Sequence, residues 1–365
     1  MSERLRVLAL ATYPLEAAAS RYRIVQFIEP LAARGIDVTF SPFLDAALFD
    51  VLYDPGRLVL RLPRLLWRFL RRFADVVRAS RADVVWIQRE AMLFGPPLFE
   101  WLIARVLRRP IVLDLDDATY VSYVSPVYGR LAVALKWPSK ADTLIRWSKS
   151  VIAGASTIAE YVADAGRRSI VVPTVVDLDV FRPRRAESPP LHLVIGWMGT
   201  HGTFQYLKRI LPMLSRLARE HEFRLRIVGS GCTEVDVPGV AVELKPWRLE
   251  DEIADLQSFD VGLYPLTEDR WSVGKSGFKA VQYMAVGVPF VMSPVGVAAS
   301  IGIDGTTHFL ARTEEEWYQR LSALLRDADL RRTMGSAARA FAEENYALER
   351  QAEKVADALL AAASA

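Results

Sequence analysis

Two lysines flank a turn of small residues at positions 274–279, where Gly274, Lys275, Ser276, Gly277, Phe278 and Lys279 open the helix-forming run FKAVQYMA. Cations are unfavourable at a helix start unless an anion sits there, because the first-turn amides already carry partial positive charge. Two ammonium groups, the Ser276 hydroxyl and free backbone amides together make a receptor for phosphate. Charge growing on a departing diphosphate is stabilised in the same way, which makes Lys275 a candidate catalytic group as well as a binding one. The alternative is a pair of solvated lysines.

Three further clusters follow apolar runs. Gly196, Gly199 and Gly202 in GWMGTHGT let the backbone of Gly199 and Thr200 approach a pyrophosphate, although a tight strand-to-helix turn uses glycine equally well. Asp114, Asp116 and Asp117 in IVLDLDD can orient a hydroxyl or face positive charge, or one of them can cap the next turn. Ser20, Arg21 and Arg23 stand where a first crossover helix begins, and the arginines there can clamp an acidic acceptor or a phosphate. A surface salt bridge is the plainer use. Arg89 and Glu90, after ADVVWIQ, are placed similarly.

The elements that position these residues are legible as a rhythm. Short apolar runs at 5 (LRVLALA), 36 (IDVTFSP), 82 (ADVVWIQ), 109 (RPIVLDLDD) and 169 (SIVVP) alternate with stretches of helical period, as strands and crossovers of a parallel sheet do. The clearest crossover spans residues 21–34 and ends at Gly35. FRPRRAESPP, residues 181–190, reads as a linker. The rhythm then resumes with LHLVIGWM, FRLRIVG, GVAVEL, DVGLYPL, VPFVMSPV and THFLA, and helices are expected over residues 206–220 and 279–285. Two α/β domains facing one cleft result, 1–180 and 191–345, and an alanine-rich helix in residues 346–365 is expected to pack back on the first. Ligands belong at the carboxyl ends of such strands.

The stretch GKSGFKAVQYMAVGVPFVMSPVG resembles the donor-binding signature of the family-4 retaining glycosyltransferases. Tyr283, Met284, Ala285, Gly287, Pro289 and Val291 stand at the places of that family's EAMA-G-PVV. PTVVD with Phe181, Arg182 and Pro183 is similar to its PNGVD-x-x-x-F-x-P. IGWMGT, RIVGSG, FDVGLYPL and LRRTMGSAAR follow in family order. The resemblance implies a GT-B fold, two Rossmann-like domains, and metal-independent transfer of a hexosyl group from a UDP or GDP type nucleotide sugar with retention of configuration. It also implies that Gln282 holds the ribose and that Asp116 takes the place of the catalytic-site histidine. One departure stands out: the family's E-x7-E glutamates would fall at 274 and 282, which here are Gly274 and Gln282. A non-catalytic GT-B nucleotide-sugar-binding or scaffold protein is therefore the second reading. A nicotinamide enzyme is disfavoured because LALATYPLEAAAS holds no glycine, and a sugar-nucleotide epimerase of the same shape is a remoter reading.

Residues 61–78 form a separate signal. Arg61, Arg64, Arg68, Arg71 and Arg72 share one stripe, with Leu62, Leu65, Leu66, Phe69, Phe73 and Val76 on the other, so an ordinary domain helix with a solvated arginine face is expected. The same pattern suits peripheral contact with an anionic membrane surface, and hence a glycan or lipid-linked acceptor.

Composition sets the frame. The 365 residues suffice for two domains, and the formal charge of +3 is too small to imply nucleic acid. Of 46 basic residues only eight are lysine, which suggests a GC-rich bacterial genome. A single cysteine, Cys232, fits a reducing cytoplasm and leaves no thiolate metal site; no metal or cofactor is expected. The first apolar run reads as a buried strand rather than a leader, and no run is long enough to span a membrane.

Overall fold

The computed structural model describes residues 4–52, 54–121, 129, 135–137, 139–184 and 192–364. The chain forms two compact units, one made of Met1–Thr174 with Leu348–Ala365 and the other of Val175–Ala347. Residues 185–190 of the expected linker lie outside the described residues. Arg339 shows why the second unit begins upstream of that linker, since its guanidinium donates to the carbonyls of Leu178, Phe181 and Ala285.

In the first unit, β1 (Leu5–Ala11), β2 (Ile36–Pro42), β3 (Val84–Gln88), β4 (Ile111–Leu115), β5 (Ser150–Ala153) and β6 (Ser169–Val171) form one parallel sheet in the order β2-β1-β3-β4-β5-β6. Every residue of β3 and β4 is buried, so these strands are apolar on both faces rather than alternating, except for Gln88 and Asp114 near their carboxyl ends. The first crossover is not the single helix that its spacing predicts. It breaks into Ala18–Arg23, a 3-10 turn at Val25–Phe27, and Ile28–Ala32. Pro30 accounts for the break, because its ring has no N–H and would collide with the Gln26 carbonyl in a continuous helix. The helix Leu348–Ala363 packs on Ile28–Ala32 and on β3, β4 and β5, as expected.

The second unit repeats the design with β7 (Leu193–Met198), β8 (Phe223–Val228), β9 (Ala241–Lys245), β10 (Val261–Tyr264), β11 (Phe290–Met292) and β12 (Phe309–Leu310), all parallel, in the order β12-β11-β10-β7-β8-β9. Ile195, Trp197, Leu225, Ile227, Val261 and Leu263 from the central strands meet Leu207, Leu214 and Leu321 from the covering helices in one core. The helical stretch expected at 206–220 is two helices, His201–Lys208 and Leu211–Leu217, divided at Pro212.

The arginine-rich segment corrects the sequence reading. The helix Leu62–Ala79 turns Leu65 and Phe69 inward onto Phe43, Leu44, Leu48, Leu52 and Leu93. Arg72 is buried with them and donates to the carbonyls of Ala11, Ser41 and Ala91 and to Asp75. Arg68 donates to the carbonyls of Pro42 and Phe43. The arginines thus do not form a uniformly solvated face, while Leu62, Leu66 and Phe73, expected in the core, are exposed. Carbonyls at strand ends and in the loops that follow them are what the guanidinium groups satisfy.

Candidate functional site

At the carboxyl end of β10 the chain turns through Pro265 and Leu266 into a short helix, Arg270–Val273. Asp269 caps it, accepting from the Ser272 amide at 2.8 Å and from the Thr267 hydroxyl at 2.7 Å. Burial works to raise the Asp269 pKa, and these hydrogen bonds outweigh it and hold the carboxyl below its ordinary range. Ser272, fully buried, donates to Tyr206 Oη or Asp269 Oδ2, each at 3.0 Å. The turn that carries Lys275 is fixed by this network.

Gly277 then begins the helix Phe278–Ala285 in the left-handed region, at φ 70°. A Cβ there would lie 2.0 Å from Ile301 Cδ1, so the position calls for glycine on conformational and on steric grounds. No side chain caps this helix start. Among the described residues the amides of Ser276, Gly277 and Lys279 donate to nothing.

The two lysines stand at this open end, and neither ammonium meets a carboxylate among the described residues. Lys279 Nζ lies over the rings of Trp197 at 5.7 Å and Tyr264 at 5.6 Å, and Lys275 Nζ over Trp271 at 5.5 Å. Burial, and secondarily the charge of Lys275, push the Lys279 pKa down to about 7. Two cations and three amides that donate to nothing among the described residues thus stand together at one helix start, where the field favours negative charge.

Trp197 brings the end of β7 to the same place. A Cβ on Gly199 would fall 2.4 Å from the Trp197 ring and 2.7 Å from Thr203 Oγ1, so backbone and ring pack closely there. Thr200 precedes the helix His201–Lys208, and its amide is taken by Thr203 Oγ1 at 3.0 Å. That amide is not available to a ligand, and the Thr200 carbonyl already accepts from the Thr203 and Phe204 amides, which narrows the part expected of Thr200 to its hydroxyl.

Gln282, one turn beyond Lys279, is buried, and its Nε2 donates to Glu252 Oε1 at 3.2 Å. Glu252 comes from the helix Glu252–Gln257 between β9 and β10 and is itself buried. Sequence reasoning missed it. LEDEIADLQ carries four acidic residues at ordinary helix-start positions, and nothing local to them points at residue 282.

In the first unit Asp114, Asp116 and Arg23 come together at the ends of β3, β4 and β6. Arg23 is fully buried. It forks onto both oxygens of Asp114 at 2.9 and 3.1 Å and donates to the Val172 carbonyl at 2.7 Å. Burial pushes Asp114 up to about 6, partly offset by Arg23. Arg23, expected to bind an acceptor, has its guanidinium joining β4 to the segment after β6. Arg21 donates to the carbonyls of Leu15 and Glu16 at 3.2 and 2.9 Å and bridges its own approach loop.

Asp116 is nearly buried and doubly bonded to Arg89, Nε to Oδ1 at 2.6 Å and Nη2 to Oδ2 at 2.8 Å, with Gln88 Nε2 3.0 Å from Oδ1. Burial works to raise its pKa, and Arg89 overcomes this and keeps the carboxylate ionised. Arg89 holds a backbone φ of 60°, a strained value for arginine, and Asp117 lies 3.5 Å from its Nη2. Beside it Lys140 donates to Glu90 Oε2 at 2.8 Å and to the Met92 carbonyl at 2.9 Å.

No curated protein matches the chain in sequence. Solved structures do match in fold. HepE from Anabaena, in complex with UDP and glucose, superposes with a TM-score of 0.70 at 16% identity, covering 98% of this chain and 100% of that one. Sucrose-phosphate synthase from Thermosynechococcus elongatus gives 0.64 at 14% identity, covering 97% and 98%. The lipopolysaccharide outer core galactosyltransferase WaaB gives 0.62 at 13%, covering 98% and 99%. The two sheets and the returning helix therefore make a GT-B fold, and residues 190–327, inside the second unit, match the family model described as Glycosyl transferases group 1.

Proposed function

We propose that the protein is a glycosyltransferase that takes a hexosyl group from a UDP-sugar bound by its second unit and passes it, with retention of configuration, to a glycan or lipid-linked acceptor taken by its first. The observation that carries this reading is the unpaired cluster of Lys275 and Lys279 at the open helix start. The match of residues 190–327 to glycosyl transferases group 1 and the UDP-glucose held by HepE support the donor class.

In this reading the diphosphate lies across the amides of Ser276, Gly277 and Lys279, with Gly199 close against it. The bond between the anomeric carbon and the β-phosphate oxygen breaks, and negative charge gathers on the phosphate. Lys275 and Lys279 stabilise that charge more than they stabilise the bound donor, and the difference lowers the barrier. Aromatic rings beneath Lys279 keep water away and strengthen the attraction. Gln282 and Glu252 offer an amide and a carboxylate to the ribose hydroxyls, which is how a chain without the paired glutamates at 274 and 282 can still grip the nucleoside. Asp116, kept ionised beside Arg89, is the carboxylate assigned in this reading to stabilise the positive charge that develops on the sugar.

Calorimetry with a panel of nucleoside diphosphates and their sugars, with and without divalent metal, tests this. Metal-independent binding of UDP, with sugar release in an assay for donor turnover, is the expected result. Binding without turnover on any acceptor would establish the non-catalytic alternative, and failure of every nucleotide to bind would overturn the donor site.

A further inference from the structure

The helix Leu62–Ala79 has apolar residues on two sides, and only one of them is used by the core. Leu65 and Phe69 face inward, whereas Leu62, Leu66, Leu70, Phe73 and Val77 recur at spacings of three and four and line one outward flank. Leu60 and Trp67 beside that flank are exposed by 79% and 62%. Arg64, Arg71 and Arg78 occupy the opposite flank. A pocket of about 530 Å³ opens on the arginine side, its lining including Leu60, Arg61, Arg64, Trp67, Arg68 and Arg71, with Asp45 as its one carboxylate. Asp45 holds Arg64 at 2.8 Å and loop carbonyls hold Arg68, while the guanidinium groups of Arg61 and Arg71 donate to nothing among the described residues.

We infer that this helix docks the protein on the surface of an anionic lipid bilayer, with Leu62, Leu66, Trp67, Leu70 and Val77 in the boundary between headgroups and acyl chains and Arg61 and Arg71 on lipid phosphates. Charge decides the occupant. The only acid of the helix, Asp75, is buried against Arg72, and Asp45 in the pocket is already paired with Arg64, so the outward face offers no unpaired carboxylate to the arginines of a second copy. A two-fold dimer through this face would set arginine against arginine. A soluble acidic partner would satisfy the arginines and leave the leucine flank wet. A bilayer surface satisfies both, and a tryptophan placed between apolar flank and cations suits the interfacial layer. Among the described residues no helix is long and apolar enough to cross a membrane, so the contact is one of lying on the surface. The inference stands on this helix alone and is independent of the donor site.

The test is co-sedimentation of the full chain with vesicles of phosphatidylcholine containing 30% phosphatidylglycerol, against phosphatidylcholine alone. Tight binding to the anionic vesicles, at least tenfold weaker binding to the neutral ones, and weakening by salt are expected. The triple variant Leu66→Ser, Trp67→Ser, Leu70→Ser and the double variant Arg61→Gln, Arg71→Gln alter exposed or unpaired side chains. Each should lose at least tenfold in binding with an unchanged thermal melt and unchanged nucleotide binding. Equal binding by wild type and both variants would overturn the inference. So would a wild type that ignores vesicles but forms a dimer that Trp67→Ser dissociates, which would assign the face to self-association.

Discussion

Gln282 Nε2 donates to Glu252 Oε1 across 3.2 Å, joining two buried side chains from helices on either side of β10. A carboxylate therefore stands one hydrogen bond from the Gln282 amide. If the pair grips the ribose, Glu252→Ala lowers affinity for uridine and for UDP by the same factor, about tenfold or about 1.4 kcal/mol. Titration calorimetry checks this, and a loss confined to UDP would move the pair to the phosphates.

Lys275→Ala and Lys279→Ala should act in the opposite pattern. Each removes a charge-assisted contact worth about 1.5–3 kcal/mol, so UDP affinity falls at least tenfold while uridine binding changes little. Equal losses for both ligands would remove the lysines from the phosphate site.

Lys279 also predicts a pH dependence. In the unliganded protein burial and Lys275 set its pKa at about 7, and a bound diphosphate raises it. Below pH 7 the ammonium is already present and affinity is level. Above pH 7 binding must take up a proton, and affinity falls by up to about tenfold per unit, because each pKa unit of difference is about 1.4 kcal/mol. Calorimetry in buffers of different ionisation enthalpy should register that uptake at pH 8, and Lys279→Met should abolish it. Because the folded pKa lies below the ordinary lysine value of 10.5, stability of the unliganded fold rises with pH between the two. A fall in stability over that interval would contradict the assignment.

Arg23→Met should unfold more easily in urea, by about 3–5 kcal/mol, because Asp114 is left buried without its partner. The measurement separates a structural arginine from a ligand-binding one. Activity lost at unchanged stability would return Arg23 to the acceptor.

Asp116→Asn keeps the shape of the site and removes the charge that faces Arg89. Turnover should drop at least a hundredfold with UDP-sugar affinity unchanged, and the melting temperature should fall as well, since Arg89 is then paired only with Asp117 at 3.5 Å. Wild-type turnover in this variant would end the catalytic assignment.

What was legible in the sequence was what neighbours in the chain decide. Lys275 and Lys279 lie one turn apart, so their shared helix start could be read directly, and β3 and β7 announced themselves as apolar runs. β5 did not, because four residues, SVIA, are too few to separate a strand from the end of the helix before it. Periodicity told which residues of the Leu62–Ala79 helix share a stripe but not which stripe the core takes. That choice belongs to the carbonyls of Ala11, Ser41 and Ala91, which lie on other elements. Glu252 and Gln282 are thirty positions apart and Asp114 and Arg23 ninety-one, and no local pattern encodes such pairs.

The helix Leu348–Ala363 closes the first unit with residues made after the whole of the second. During synthesis the first sheet therefore waits, with the surface over β3, β4 and β5 uncovered, until the ribosome has delivered 173 intervening residues. The second unit has all its strands in one continuous stretch and can mature first. The chain topology thus lets the second unit complete before the first, and the face of the first sheet that awaits its last helix is the surface that stays open longest during synthesis.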